Sequence, residues 1–340
     1  MITIENLEKE LKLGKLNSIY LLYGEETFLL ESCLKKIKNI FGPRQAGINE
    51  IKLDETNISG IISDIETPAF GFEKKLIVAR NTNLFKKEGK RKNAVNADLI
   101  KRVAEYIKEN NEVIKDSVVL VFVEEEADKN ELFKTIEQYG EVCEFGELKP
   151  IQIKARMKAI TNAYKVNADD STLQYLIECC GTNMQKLINE IRKLIEYEGE
   201  GGTITKKDIE LLCIKQIDSI IFDLTDNLGK KKVDKALEVL HGLIYQKEPI
   251  QKILITLYHH FKKLYIIKIA QRENKNVAQC LNLKPNQTFL TSKYTAQANY
   301  FKEAELKKIV EELIDLDYNY KSGLIDLNVG LEAILCRYCS

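Results

Sequence analysis

Neither sign of charge is in surplus in this sequence. Fifty-one basic residues stand against fifty-one acidic ones in 340, so no net positive field gathers nucleic acid, and any contact with DNA has to be local. Long apolar runs are missing too: the longest, such as Val118 to Val123, fall far short of the ~20 residues that span a bilayer. The opening residues, MITIENLEKELKLGK, are charged and lack the apolar stretch of a signal peptide, which sets the expectation of a cytoplasmic protein with no membrane partner. Histidine is scarce. His241, His259 and His260 all fall in the carboxyl-terminal third, and adjacent positions on a helix point about 100° apart, too far to share a metal or to act as base and orienter. A structural or surface role is expected for them. The eight cysteines, at 33, 143, 179, 180, 213, 280, 336 and 339, lie mostly as single residues in apolar segments and make no disulfide framework. Cys336 and Cys339 form one CxxC, but no second CxxC or HxxxH completes a tetrahedral set, so neither a metal nor a cofactor is expected. Low-complexity tracts and fixed-period repeats are absent as well, which excludes a solenoid.

What is present is the composition of a globular protein, 44% apolar and 30% charged, in a chain long enough for two or three hydrophobic cores. Residues 1–147 alternate two kinds of segment. Strands are predicted over Ile19 to Tyr23, Ile48 to Leu53, Leu76 to Ala79, Val118 to Val123 and Val142 to Phe145, with helical spacing in Phe28 to Ile40, Ile58 to Ile65, Leu99 to Ile107 and Leu132 to Tyr139. That alternation predicts an α/β domain with a mainly parallel sheet. It stops at Lys149-Pro150, where Pro150 reads as a linker mark. Residues 148–213 then read as a short helical domain, closed by the turn EGEGG and a helix capped at Thr205. Residues 214–340 read as a second all-helical unit, in which Ile250, Ile253, Leu254, Leu257, Tyr258, Phe261, Leu264 and Tyr265 line one face of a long helix.

The segment SIYLLYGEETFLLE, Ser18 to Glu31, has the order of a phosphate-binding strand, loop and helix without its chemistry. A phosphate cradle needs several glycines and a lysine; here Gly24 stands alone and Glu25 and Glu26 would repel an anion. Glu124, Glu125 and Glu126 follow an apolar strand as a magnesium-holding pair would, but they follow the fourth strand. After the third stand Arg80 and Asn81, so the glutamates read as a solvated strand end. The densest basic segment, Lys86, Lys87, Lys90, Arg91 and Lys92, has no interleaved aromatic and reads as a solvated loop. In Thr67-Pro68-Ala69-Phe70-Gly71-Phe72 a proline and a glycine bracket an aromatic. Either that aromatic is buried at a strand entrance, or it is presented on a rigid tip as an anchor for a partner.

Together these segments resemble the delta subunit family of the bacterial DNA polymerase III clamp loader, over nearly the whole chain. The resemblance is carried by YLLYGEETFLLE, by TPAFGFEKKLIVARN, by CGTNMQKLINEIRKLIEY with Gly181, Asn189, Glu190, Lys193 and Leu194 in the family's spacing, by IFDLTDNL and by DYNYKSG. It implies an AAA+-like domain with a degenerate phosphate loop (1–147), a small helical lid (148–213) and a helical collar (214–340) that assembles with other loader subunits. The implied function is to bind the sliding clamp, the beta subunit, and to hold open one ring interface, without ATP hydrolysis by this chain. Implied partners are the tau/gamma motor subunits, the delta-prime subunit and, through the complex, primer-template DNA. The family's apolar clamp-contacting pair falls on Ala69 and Phe70, framed by Thr67, Pro68 and Phe72, with Ala69 smaller than the leucine or phenylalanine often found there. A collar tyrosine that meets DNA falls on Tyr318, which could equally be packed between helices. The rival is an active AAA+ ATPase of the loader-motor or helicase-loader type, which requires a lysine near residue 25 and an acidic pair near residue 80.

Overall fold

The computed structural model describes residues 1–86 and 95–339. Two compact units make up the chain, Met1–Glu147 and Leu148–Ser340.

The first unit is built on five parallel strands, β1 (Ile19–Tyr23), β2 (Glu50–Leu53), β3 (Lys75–Arg80), β4 (Val118–Glu124) and β5 (Glu141–Glu144), in the order β2-β3-β4-β1-β5. The inner strands are the uninterrupted apolar ones: every residue of IYLLY and of VVLVFVE is buried, as a parallel strand covered on both faces requires. The edge strands, EIKL and EVCE, are half charged, whereas the inner strands carry charges only at their ends, at Lys75, Arg80 and Glu124. Register pairs Ile19 with Leu120 and Tyr23 with Glu124, and Lys75 with Val118. Among the described residues six helices accompany the sheet, α1 (Ile4–Lys12), α2 (Thr27–Phe41), α3 (Ile61–Glu66), α4 (Val95–Glu109), α5 (Asn111–Ser117) and α6 (Glu131–Tyr139). Ile19, Leu21 and Tyr23 share one core with Phe85, Phe122 and Phe133; the strand's period of two turns Tyr20 and Leu22 to the other face. Two predicted boundaries shift for local reasons. Ile48 and Asn49 belong to a turn in which their amides bond to the Gln45 carbonyl, so β2 starts at Glu50. The predicted helix from Ile58 opens with a 3-10 turn, Ile58–Gly60, before α3.

The second unit is all helix: α7 (Pro150–Ala163), α8 (Asp170–Cys180), α9 (Met184–Glu198), α10 (Lys206–Leu212), α11 (Ile217–Gly229), α12 (Val233–Tyr245), α13 (Ile250–Arg272), α14 (Val277–Leu281), α15 (Leu290–Ala298), α16 (Glu303–Lys321) and α17 (Leu327–Cys339). Pro150 is the first residue of α7, not a linker, because the first turn of a helix has no use for the N–H that proline lacks. Thr205 caps α10, its amide and hydroxyl both donating to the Asp208 carboxylate at 2.7 and 2.6 Å. The 23-residue α13 buries Ile253, Leu254, Leu257, Phe261, Leu264 and Ile267 in one cluster with α11, α12, α16 and α17. Among the described residues no helix is long and apolar enough to cross a membrane.

Candidate functional site

The segment between α3 and β3 forms a tight, anchored tip. Thr67 ends α3, its amide and hydroxyl both donating to the Ser63 carbonyl at 3.0 and 2.7 Å. The Phe72 amide then donates to the Ala69 carbonyl at 2.8 Å, and Gly71 takes φ +81°, the left-handed conformation that a turn of this kind demands at its third position. No atom lies within 4 Å of where a Gly71 Cβ would be, so backbone conformation alone calls for glycine there. Phe70, at the second position, is 74% exposed. It is the one exposed phenylalanine among the twelve in the chain, so it is not buried at the entrance to β3. Thr67 and Pro68 are exposed, and Ala69 and Phe72 half-buried.

A residue that sequence reasoning passed over holds this tip. Lys75 opens β3, is buried, and donates its ammonium to the carbonyls of Asp64 and Thr67 at 2.7 and 2.5 Å. These belong to the last turn of α3 and its cap, where a helix leaves carbonyls without internal partners. Burial pushes the Lys75 pKa below the ordinary lysine value, with the Asp64 carboxylate pulling the other way. A lysine at the head of an apolar strand reads as a solvated flank; only its two carbonyl partners distinguish it.

The strand-to-helix turn after β1 is filled from within the domain. Gly24 has φ +133°, and a Cβ there would stand 2.3 Å from the Phe145 carbonyl oxygen. That same oxygen accepts the Glu26 amide at 2.8 Å, and the Gly24 amide donates to the Glu124 carbonyl at 3.2 Å. A phosphate cradle works by aiming such amides at the ligand; here two of them are engaged by protein carbonyls. Where an acidic pair would follow β3, Arg80 forms a two-pronged pair with Glu31 of α2 at 2.6 and 2.8 Å. The guanidinium holds the Glu31 carboxyl below its ordinary pKa.

Of the three glutamates at the end of β4, Glu125 and Glu126 are exposed as expected of a solvated strand end, and Glu124 differs. Glu124 is buried and accepts both the Thr82 amide, at 2.9 Å, and the Thr82 hydroxyl, at 2.6 Å, on one oxygen. Burial raises its pKa to about 7 against the pull of those two bonds. It is therefore no solvated strand end: Glu124 is still inside the β4 register, and its carboxyl ties β4 to the segment after β3. All three line a cavity of about 680 Å³ beyond the strand ends, with Asp54, Arg80 and Asn83. Of the basic segment, Lys87, Lys90, Arg91 and Lys92 lie outside the described residues. In the second unit Tyr318 is 69% exposed on α16 rather than packed between helices, while Asp317 beside it pairs with Lys321 at 2.6 Å. His260 is buried and its Nε2 lies 2.8 Å from the Gln297 Oε1, and His241 pairs with Glu332 at 2.7 Å.

Parallel strands in this order, with a strand–glycine–helix turn at the phosphate-loop position and a helical unit following, define an AAA+-like class of protein. Two family models match the sequence, "DNA polymerase III, delta subunit" over residues 20–146 and "DNA polymerase III delta subunit, C-terminal domain" over residues 218–338. The chain belongs to this delta subunit family. It is 24% identical over 335 residues to the DNA polymerase III subunit delta of Bacillus subtilis, covering 97% of this chain and 95% of that one. It is 25% identical over 309 residues to the probable DNA polymerase III subunit delta of Aquifex aeolicus, covering 88% and 85%. Its fold is similar to that of the Bacillus subtilis DNA clamp loader delta protein, with a TM-score of 0.71 at 23% identity over 99% of both chains.

Proposed function

We propose that this chain acts in a clamp loader as the subunit that binds the sliding clamp and biases one of its ring interfaces toward the open form, leaving ATP hydrolysis to the tau/gamma motor subunits. The observation that carries the reading is Phe70: a lone exposed phenylalanine on a turn held by a buried lysine, in a chain of the delta family. An aromatic anchor entering a hydrophobic pocket contributes roughly 2 to 4 kcal/mol. Its work on the ring is bounded by the difference in affinity for the open and closed forms. Thr67, Pro68, Ala69 and Phe72 frame the anchor, and Ala69 adds little contact area of its own. Residues 148–213 serve as a lid and 214–340 as a collar that joins the delta-prime and motor subunits, with Tyr318 placed to meet primer-template DNA once the complex forms. Gly24, Glu25 and Glu26 keep the turn without a nucleotide.

Titration of the chain against a purified sliding clamp tests this. Phe70→Ala should weaken binding by tenfold or more while co-purification with the motor subunits is retained. Equal clamp affinity for the two proteins would remove Phe70 from the interface.

A further inference from the structure

Cys180, Glu190 and Cys213 bring three metal-ligating atoms within 4.8 Å of one another. They come from three elements of the second unit: Cys180 is the last residue of α8, Glu190 is buried on α9, and Cys213 caps the end of α10. Backbone bonds hold the chain between α10 and α11 in place around them. The Ile214 amide donates to the Glu190 Oε2 at 3.2 Å, and the Gln216 amide to the Cys179 carbonyl at 2.8 Å. Beside the cluster a cavity of about 400 Å³, lined by Cys180, Asn189, Glu190 and Ile214, has room for a water molecule of about 30 Å³.

We propose that Cys180, Cys213 and Glu190 form a zinc site, with water from the adjoining cavity as the fourth ligand. Two thiolates select a soft or borderline divalent ion over magnesium or calcium. Tetrahedral zinc with bonds of about 2.3 Å to sulfur sets the two thiolates about 3.8 Å apart, and the three ligand atoms already lie within 4.8 Å of one another. On binding, each thiol gives its proton to solvent, so two protons are released per ion. Two thiolates, one carboxylate and Zn²⁺ leave one net negative charge, and the Lys193 ammonium already sits 2.7 Å from the Glu190 carboxylate to balance it. The ion would pin the segment that starts at Cys213 to α8 and α9. Sequence spacing hid the site, because Cys180 and Cys213 belong to no CxxC or similar pattern.

The test uses the full chain, freed of metal and kept reduced, titrated with Co²⁺ and then Zn²⁺. A thiolate-to-cobalt charge-transfer band should grow to saturation at one ion per chain and be displaced by Zn²⁺. Cys180→Ser and Cys213→Ser should each abolish it. The double variant Cys336→Ser/Cys339→Ser should keep it, and Glu190→Gln should weaken affinity by tenfold or more. A wild-type chain that shows no such band, or that yields all its Zn²⁺ to a micromolar chelator, overturns the proposal, leaving the three residues as a hydrogen-bonded polar cluster. So does a band that survives in Cys180→Ser and vanishes with Cys336 and Cys339. None of these readouts involves the clamp, so the outcome is independent of the role given to Phe70.

Discussion

Lys75 shows how one side chain can matter to an interface without touching it. Its ammonium is buried and spent on the carbonyls of Asp64 and Thr67, so it fixes where α3 stops and how the chain turns toward Phe70. Burying a cation is costly unless hydrogen bonds offset the lost water, so Lys75→Met removes that cost together with the two bonds to the Asp64 and Thr67 carbonyls. Lys75→Met is therefore expected to leave a folded chain with a looser tip. A looser anchor loses affinity through the ordering it must undergo on binding, so clamp binding should fall by roughly three- to tenfold in a titration. The decisive measurement is a double-mutant cycle. If Lys75 acts only by positioning Phe70, its substitution should cost nothing further in a Phe70→Ala background; full additivity of the two effects would separate Lys75 from the tip.

At the level of the element, the turn from β1 into α2 argues that more than a missing lysine separates this chain from a nucleotide site. The Phe145 carbonyl occupies the Glu26 amide and the Glu124 carbonyl the Gly24 amide, so a side-chain change alone leaves no cradle. Glu25→Lys is expected to show no saturable binding of a fluorescent ATP analogue with Mg²⁺ up to millimolar concentration, like the unchanged chain; micromolar affinity in either would revive the active-ATPase reading. Elements of this kind differ in how far they can be read from sequence. β1 and β4 were legible because a buried parallel strand is an unbroken apolar run between turn residues, and α13 because its face repeats over many turns. Ile48 misled because an apolar residue in a turn looks like the start of a strand. The Pro-Ala-Phe-Gly run announced a turn, but whether Phe70 faces outward depends on what α3 and β3 leave uncovered, and the partners of Lys75 are carbonyls with no sequence signature. Glu124, Glu125 and Glu126 are equivalent letters, and only strand register separates the buried one from its neighbours.

Across the whole molecule, two buried titratable groups, Glu124 and His260, are expected to make the two units respond to pH in opposite senses. In Met1–Glu147, burial lifts the Glu124 pKa from its ordinary 4.5 to about 7. Between those values the unfolded chain has lost a proton that the folded one keeps, so stability falls as pH rises through the window, by about 1.4 kcal/mol for each unit of pKa difference. In Leu148–Ser340, burial drives the His260 pKa from 6.5 down to about 3, against the hydrogen bond with Gln297. The Gln297 Nε2 donates to the Phe222 carbonyl at 2.8 Å, so its Oε1 accepts and His260 Nε2 carries the proton of a neutral ring. Here the unfolded chain gains a proton that the folded one refuses, and stability falls as pH drops from about 6.5 toward 3. Hydrogen exchange at pH 7.5 and pH 5, corrected for intrinsic rates, should therefore show β4 better protected at the lower pH and α13 better protected at the higher. Glu124→Gln, which keeps an acceptor for Thr82, should flatten the first trend and leave the second; His260→Gln should do the reverse. Protection that moves the same way in both units, or trends that survive both substitutions, would show that other groups govern the pH response.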